Sequence, residues 1–374
     1  MIISIFKSVP DHRVVGRCMY PLADLLTIAL LTYLCNGEDY TDMSSFAETR
    51  ARDFDLLQGC VTSPSPDTFE RLMKAVDPSE IERCLVTYGK QFLDTCVEKQ
   101  IAIDGKKLRG TQPKSRGTNG DYLLNAFVCE NQMMIGQLPV KDKENEITAI
   151  PTMLDKLEIA GATVTIDAIG TQVSIAQKIV DKGAHYMLAV KDNQKFTNEA
   201  LTDVFLHHAS QIKDTYEEKN IGHDRIETRT CRILDAKVLQ GNVDGVGNKW
   251  PQLKTLVEIT SSVCYDAERE EVKTIRHYIS DDSFPKARYY YQLARGHWAI
   301  ENNLHWHLDI TFGEDNCRAR TQNAPQNLSL IRKMALQIVK NHIDTGKKRS
   351  LKKRLFLASL SADYLLQIIK NAKF

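Results

Sequence analysis

Apolar residues follow different rhythms along this chain. In the first 95 residues the rhythm is helical. YPLADLLTIALLTYLC (20–35) is apolar on most faces and follows a turn-like segment. SPSPDTFERLMKAV (63–76) has a proline-rich entry, Asp67 at an N-cap position and Glu70 three residues later, the spacing of a capping box. From KQIAIDGKKL (99–108) the pattern alternates and meets an acid before glycine, which predicts a strand running into a turn. YLLNAFVCE (122–130), MMIGQLPV (133–140), ATVTIDAIG (162–170) and HYMLAVK (185–191) predict further strands. EITAIPTMLDKLE (146–158) predicts a helix interrupted by Pro151, and TQVSIAQKIVDKG (171–183) a helix capped by Thr171.

Beyond about residue 208 the alternation of strands and helices stops. RIETRTCRILDAKVL, KTLVEITSSVCY and VKTIRHYIS, within 225–280, are rich in Val, Ile and Thr and predict antiparallel strands. After Pro285 the pattern is helical throughout, with candidates at about 286–310, 325–343 and 350–372. The expected architecture is therefore an α/β core split by a β-rich insertion at about 210–284. Residues 1–95 form a helical N-terminal domain, 96–345 the core with its insertion, and 346–374 a basic helical tail.

Composition narrows the class. The chain has 374 residues, 43% hydrophobic and 26% charged, which suits globular domains and excludes a disordered or fibrous protein. A net charge of +1 conceals an asymmetry: residues 1–90 carry nine Lys/Arg against thirteen Asp/Glu, whereas 331–374 carry eleven against two. A polyanion would meet the C-terminal end first. Nine cysteines, none in C-x-x-C spacing, read as reduced thiols rather than a disulfide framework or a zinc module. The longest apolar run, Leu25 to Cys35, is too short to span a bilayer, and MIISIFKSVPDHR has no leader pattern. The expectation is a cytoplasmic protein with no membrane partner.

Candidate chemistry lies in three places. Asp104 closes the apolar run IAID and Asp167 closes VTID, each before a small residue; carboxylates at adjacent strand ends can hold a divalent cation against phosphate oxygens, while single strand-end aspartates commonly cap turns. The third is RGHWAIENNLHWHLDITFGEDNCRAR (295–320), in which helical spacing puts His297, Glu301, His305 and Leu308 on one face. An acid among aromatics and histidines on a packed helix calls for a metal or a base. The alternatives are a simple Glu301 pair with His297 or His305, and a zinc site of His297, His305 and His307, disfavoured because His307 points elsewhere. Glu314 and Asp315 compete with Glu301 as the third acid but follow Gly313 at an expected helix end.

IAIDGKKLRG, VTIDAIGTQ, LAVKDNQ and HWAIENNLHWHLDITFGEDNCRAR resemble the insertion-sequence transposases of the H-repeat-associated type, within the DDE group. The N-terminal YPLADLLTIALLTYLCNGEDYTDM and PSPDTFERLMKAVDP resemble the helical domain that precedes the core in that family. The resemblance implies a ribonuclease H-like catalytic core that cleaves and transfers DNA strands. It implies metal-binding catalytic carboxylates at Asp104, Asp167 and Glu301, separated by 63 and 134 residues. It also implies two Mg²⁺ ions, with Mn²⁺ as an alternative, and double-stranded DNA (element terminal repeats and target) as partner, bound by a homodimer. Wider relatives carry Tyr, Arg and Lys around the Glu where this chain has Ala294, His297 and Leu308, with Tyr291 and Arg295 nearby as partial substitutes. Lys106, Lys107, Arg109, Lys191, Asn193, Gln194, Arg295 and His297 are the expected phosphate contacts beside the site. In GKKRSLKKR the expected DNA-binding residues are Lys347, Lys348, Arg349, Lys352, Lys353 and Arg354; solvated surface charge is the plain alternative. Rival readings are a nuclease or resolvase on the same core, and an immobile or domesticated remnant that only binds DNA.

Overall fold

Strand and helix follow one another as the polar and apolar rhythm directs, and a computed structural model describes residues 3–14, 16–90, 95–112, 120–140, 146–222, 225–239, 246–265, 271–344 and 348–371. Helices α1 (Ile3–Phe6), α2 (Leu22–Leu34), α3 (Tyr40–Thr49), α4 (Pro66–Ala75) and α5 (Pro78–Lys90) come first. Strands β1 (Gln100–Lys107), β2 (Tyr122–Val128) and β3 (Met133–Val140) follow, then α6 (Glu146–Lys156), β4 (Thr163–Ile166), α7 (Val173–Asp181), β5 (His185–Val190) and α8 (Lys195–His207). The insertion supplies β6 (Asp214–Gly222), β7 (Arg225–Asp235), the single turn α9 (Val246–Lys249), β8 (Thr255–Cys264) and β9 (Val272–Ser280). The chain ends in α10 (Ala287–Ile300), α11 (Trp306–Ile310), α12 (Ala324–Asn341), α13 (Leu351–Leu360) and α14 (Ala362–Asn371).

One sheet of nine strands runs through the molecule in the order β3-β2-β1-β4-β5-β9-β8-β7-β6. β3, β2 and β1 pair antiparallel, and β4 and β5 join parallel to β1. That five-strand order is the ribonuclease H-like arrangement the resemblance implies. The insertion does not form a separate sheet: β9 pairs antiparallel with β5, and β8, β7 and β6 extend the same surface.

Because side chains alternate across a strand, the sheet has two buried faces. Ile101, Ile103, Val164, Ile166 and Leu188 face α6, α7 and α8, where Ile150, Met153, Ile175, Ile179 and Phe205 cover them. On the other side Ala102, Phe127, Met133 and Met134 join a large core with the N-terminal helices and α12, and with Ile300, Leu304 and Leu308. Leu355, Ala358, Leu365 and Ile368 belong to that same core, so α13 and α14 are packed helices rather than a free tail. A third cluster places Tyr290, Tyr291, Leu293 and Ala294 of α10 against Met187, Cys231, Ile233 and Val257. Helix α10 therefore spans the parallel strands and the insertion.

Several local expectations are corrected. Pro66 opens α4 and Ser65 precedes it, so Asp67 lies inside the first turn, and Glu70 pairs with Lys74 at 2.7 Å instead of reaching back. Pro151 sits within α6, which runs on past it. Thr171 does not cap α7: its hydroxyl donates to the Ala189 carbonyl at 2.6 Å, and Gln172 stands at the N-cap. The span 350–372 is two helices broken at Ser361. Strand β6 forms in a stretch of the insertion where the pattern predicts none. Among the described residues no helix is long and apolar enough to cross a membrane, and none of the nine cysteines forms a disulfide.

Candidate active site

Strand register sets the first two acids side by side. β1 and β4 run parallel with Ile103 opposite Ile166, so Asp104 and Asp167 follow at equivalent positions on neighbouring strands. Their Ile neighbours enter the core beneath α6 and α7, and alternation turns both acids to the opposite face, toward α10. Asp104 is not the end of its strand; β1 continues to Lys107, and Asp104 pairs across to Asn125 of β2. Asp167 is the first residue past β4, where its carboxylate accepts the Ala168 N–H at 2.7 Å and starts a short 3-10 turn.

Polar groups on that face dock α10 onto the strands. Gln100 donates through Nε2 to Thr165 Oγ1 at 2.9 Å and to the Leu293 carbonyl at 2.7 Å. Gly296 makes this approach feasible, because a Cβ there would overlap Gln100 Oε1. One residue on, His297 Nδ1 lies 3.1 Å from Thr165 Oγ1. The helix then widens into a π-helical turn over Glu301–His305, in which the Trp306 N–H bonds the Glu301 carbonyl five residues back. That turn aims both Glu301 and His305 at Asp104. His305 Nδ1 stands 3.0 Å from Glu301 Oε2 and 3.6 Å from Asp104 Oδ2. One ligand atom from each of Asp104, Glu301 and His305 falls within 4.8 Å of the others, close enough to hold one metal ion.

Asp167 stands on the same cavity, of about 390 Å³, with Asp104, Glu301, Lys191, His297, Arg276 and Trp298 around it. Its carboxylate is turned to Ala168 and to Lys191 Nζ at 3.2 Å, so the tight group is two carboxylates and a histidine rather than three carboxylates. Electrostatics favour the charged forms of Glu301 and Asp167. The His305 hydrogen bond holds Glu301 below the ordinary glutamate range, against the opposing effect of burial. Burial would raise Asp167, but the Ala168 N–H and the Lys191 ammonium outweigh it and lower its pKa. Burial keeps His297 below its usual value despite the two nearby aspartates. Converging carboxylates are a donor set suited to hard divalent cations.

Comparison with known proteins gives the family. The family described as "Transposase DDE domain" matches residues 96–338, and the one described as "DDE_Tnp_1-associated" matches residues 3–88. The chain belongs to the transposase DDE-domain family. It is 31% identical over 373 residues to the "H repeat-associated putative transposase YhhI" of Escherichia coli (strain K12), covering 97% of this chain and 96% of that protein. It is also 31% identical to the "Putative protein YbfL" of the same strain, over 97% of this chain and 96% of that one. A solved cryo-EM structure of the piggyBac transposase synaptic complex with hairpin DNA aligns with a TM-score of 0.41 at 12% identity, over 100% of this chain and 78% of that chain.

Within this DDE-family chain the other sequence-predicted residues fall into distinct settings. Lys106 is corrected as a phosphate contact: it is buried, and its ammonium is already neutralised by Asp309 at 2.6 Å with Glu314 4.0 Å away. Lys107 is partly exposed at the end of β1. Arg109 is exposed and stands 3.6 Å from Asp315. Asn193 donates to the Ala168 carbonyl and Gln194 to that of Thr171 at 3.0 Å, so both brace the turn after Asp167. Arg295 is exposed, and Tyr291 donates to Glu218 at 2.5 Å, which turns both toward the insertion. The three histidines do not converge: His297 meets Thr165, His305 meets Glu301, and His307 Nδ1 lies 3.2 Å from Thr311 Oγ1. Glu314 is buried beside Lys106, and neither it nor Asp315 joins Asp104.

In the basic segment Lys347 lies outside the described residues. Lys348, Lys352 and Lys353 are exposed. Arg349 Nη1 donates to Asp344 at 3.1 Å, and Arg354 Nη1 donates to the Val339 and His342 carbonyls at 2.9 and 2.8 Å. Two residues that sequence reasoning missed also reach the site. Asn125 is the single amide in the apolar strand YLLNAFV, and Lys333 is a lysine fully buried in α12. A lone amide in a strand that must be buried is a signal for Asn125; Lys333, next to Arg332 in α12, carries no such local mark.

Proposed function

We propose that this chain cleaves and transfers DNA strands as the transposase of an insertion-sequence-like element. The observation that carries the reading is the meeting of Asp104 and Glu301 at 4.8 Å or less, with Asp167 one strand away on the same cavity. The residues fit a divalent cation: two carboxylates converge, and His305 donates to them or serves as a third ligand. Asp104, Glu301 and Asp167 would hold Mg²⁺ or Mn²⁺, which supplies Lewis-acid neutralisation of phosphoryl oxygens and a lowered pKa for an attacking water or 3′-hydroxyl.

The chain's own groups do the rest. Strand pairing sets the backbone of Asp104 and the π-turn that of Glu301, whose carboxylate is held by His305, so little reorganisation is needed when a phosphodiester arrives. Lys191, exposed beside Asp167, presents a positive charge to the same cavity, and Arg109 extends that field past the end of β1. Lys107, Arg295 and His297 remain candidate phosphate contacts around it. The exposed lysines of α13 and its approach, Lys348, Lys352 and Lys353, would hold the DNA backbone at a distance from the chemistry, with two copies of the chain on the paired ends.

The test is strand cleavage of duplexes carrying the element's own ends, with Mg²⁺ and with EDTA. Metal-dependent nicking that is lost in both Asp104→Asn and Glu301→Gln proteins is expected. Nicking that persists at the wild-type rate in either folded variant would overturn the assignment. Tight DNA binding with no nicking in the wild-type protein would instead support a binding-only remnant.

A further inference from the structure

Behind the two carboxylates a buried polar line runs through three elements. Lys333, fully buried in α12, places its ammonium 2.6 Å from Asn125 Oδ1 and against Gln137 Oε1. An ammonium only donates, so both amide oxygens must face it. That fixes the orientation of Asn125. Its amide nitrogen then donates to the Leu123 carbonyl at 3.2 Å and faces His305 Nε2 at 3.4 Å. A ring nitrogen facing an N–H presents its lone pair, so in neutral His305 the proton resides on Nδ1. Nδ1 is the atom 3.0 Å from Glu301 Oε2 and 3.6 Å from Asp104 Oδ2.

We propose that Lys333 is a positioning residue: acting through Asn125, it sets His305 in the Nδ1–H tautomer, and that N–H holds the Glu301 carboxylate beside Asp104. The proposal rests on the functional reading above for its consequence, though not for its geometry. With its proton on Nδ1, His305 serves the carboxylates as a donor and not as the third metal ligand. Two features add weight. Asn125 lies directly opposite Asp104 in the β1–β2 ladder, so the line enters the site from the same face as the acid it serves. Glu301 is the exposed member of the pair, with 56% of its side chain accessible, and therefore the one that needs an anchor. Lys333 is 208 residues from Asn125 in sequence, so only the packing of α12 beneath the sheet brings them together.

The experiment is ¹⁵N spectroscopy of the histidine rings in the full chain at neutral pH without metal, with the His305 signals assigned by their loss in His305→Gln. In the wild-type protein Nδ1 should be the protonated nitrogen. In Lys333→Met the Asn125 amide is free to reverse, and His305 should move its proton to Nε2. Asn125→Asp gives the same readout while keeping a partner for Lys333, so it decides the matter where Lys333→Met fails to fold. Mn²⁺ affinity, read by its paramagnetic relaxation, should fall about 10–100-fold in these variants, the usual consequence of disturbing groups that orient a ligand. An unchanged Nδ1–H tautomer in Asn125→Asp would overturn the proposal. If the tautomer moves but no form of the protein cleaves DNA, the functional reading fails while the positioning stands. If cleavage is intact and the tautomer does not move, only the positioning fails.

Discussion

At the residue scale, the helix that carries Glu301 holds side chains with opposite protonation preferences a few residues apart. Glu301 is held in its charged form by a hydrogen bond, whereas His307 is held neutral by burial, which pushes its pKa down to about 4, with the Lys340 charge acting in the same direction. The consequence for stability has a definite sign. The unfolded chain takes up the His307 proton near the ordinary histidine value of 6.5, and the folded chain resists until about 4. His307 therefore weakens the fold progressively as pH falls across that window and adds nothing further below it. Urea midpoints at pH 7 and pH 5 should drop less in His307→Gln than in the wild-type protein. An equal drop in both would show that this ring is not what resists protonation. Glu301 and Asp167 are shifted below ordinary carboxylate values that already lie under pH 5, so loss of Mg²⁺-dependent cleavage at pH 5 is not expected to come from protonating them.

At the element scale the site depends on how closely α10 approaches β1 and β4, and Gly296 is the test of that approach. In an exposed helix, Gly→Ala gains about 1 kcal/mol of helix propensity. At position 296 the new methyl would overlap Gln100 Oε1, whose amide is tied to Thr165 and Leu293, so α10 must shift or Gln100 must give up its bonds. Gly296→Ala should therefore be destabilising in denaturant and should lower strand cleavage more than DNA binding; a stabilised, fully active variant would mean α10 is not seated by this contact. Much of this element scale is legible in the sequence. Alternation locates β1 to β5, Val, Ile and Thr content announces the insertion strands, and the strand-aspartate and helix-glutamate pattern offers Asp104, Asp167 and Glu301 as candidates that only the family resemblance joins into a set. The misreadings share a cause, which is that a local signal has a non-local use. Gly105 reads as a turn, but it sits in mid-strand where a Cβ would meet the Tyr122 ring. Thr171 reads as a cap, but its hydroxyl serves the next strand. Lys106 reads as a phosphate contact because Asp309, 203 residues on, is invisible from its neighbours. The line from Lys333 to His305 is illegible for the same reason: each member has an ordinary local setting, and only tertiary packing makes them one network.

At the scale of the whole molecule, charge and core are distributed by different rules, and the C-terminal segment shows both. Its apolar side closes the core beneath the N-terminal helices, with Leu355, Leu365 and Ile368 fully buried. Its cations divide accordingly. Arg354 caps the carbonyl end of α12 and stands 3.2 Å from Asp344, which also receives Arg349, so these two hold the fold together. Lys348, Lys352 and Lys353 face solvent, and of their side-chain contacts only the exposed stacking of Lys353 over the Phe356 ring, 4.8 Å to its centroid, is seen among the described residues. A sixfold neutralisation of the basic run would confuse the two roles, and separating them gives a sharper test. Changing Lys348, Lys352 and Lys353 together to Gln should leave the thermal midpoint within experimental scatter and weaken binding to all duplexes alike. It should also reduce the slope of log affinity against log salt by at most about 2.7, since each duplex phosphate that a lysine neutralises accounts for roughly 0.9 of that slope. Arg354→Gln should do the reverse, costing about 1–3 kcal/mol of stability for the carbonyls left unpaired while the salt slope holds. A salt slope untouched by the triple lysine variant would mean that this surface is merely solvated. The DNA would then be gripped around the cavity itself, where Lys191 and Arg109 offer exposed cations beside the acids.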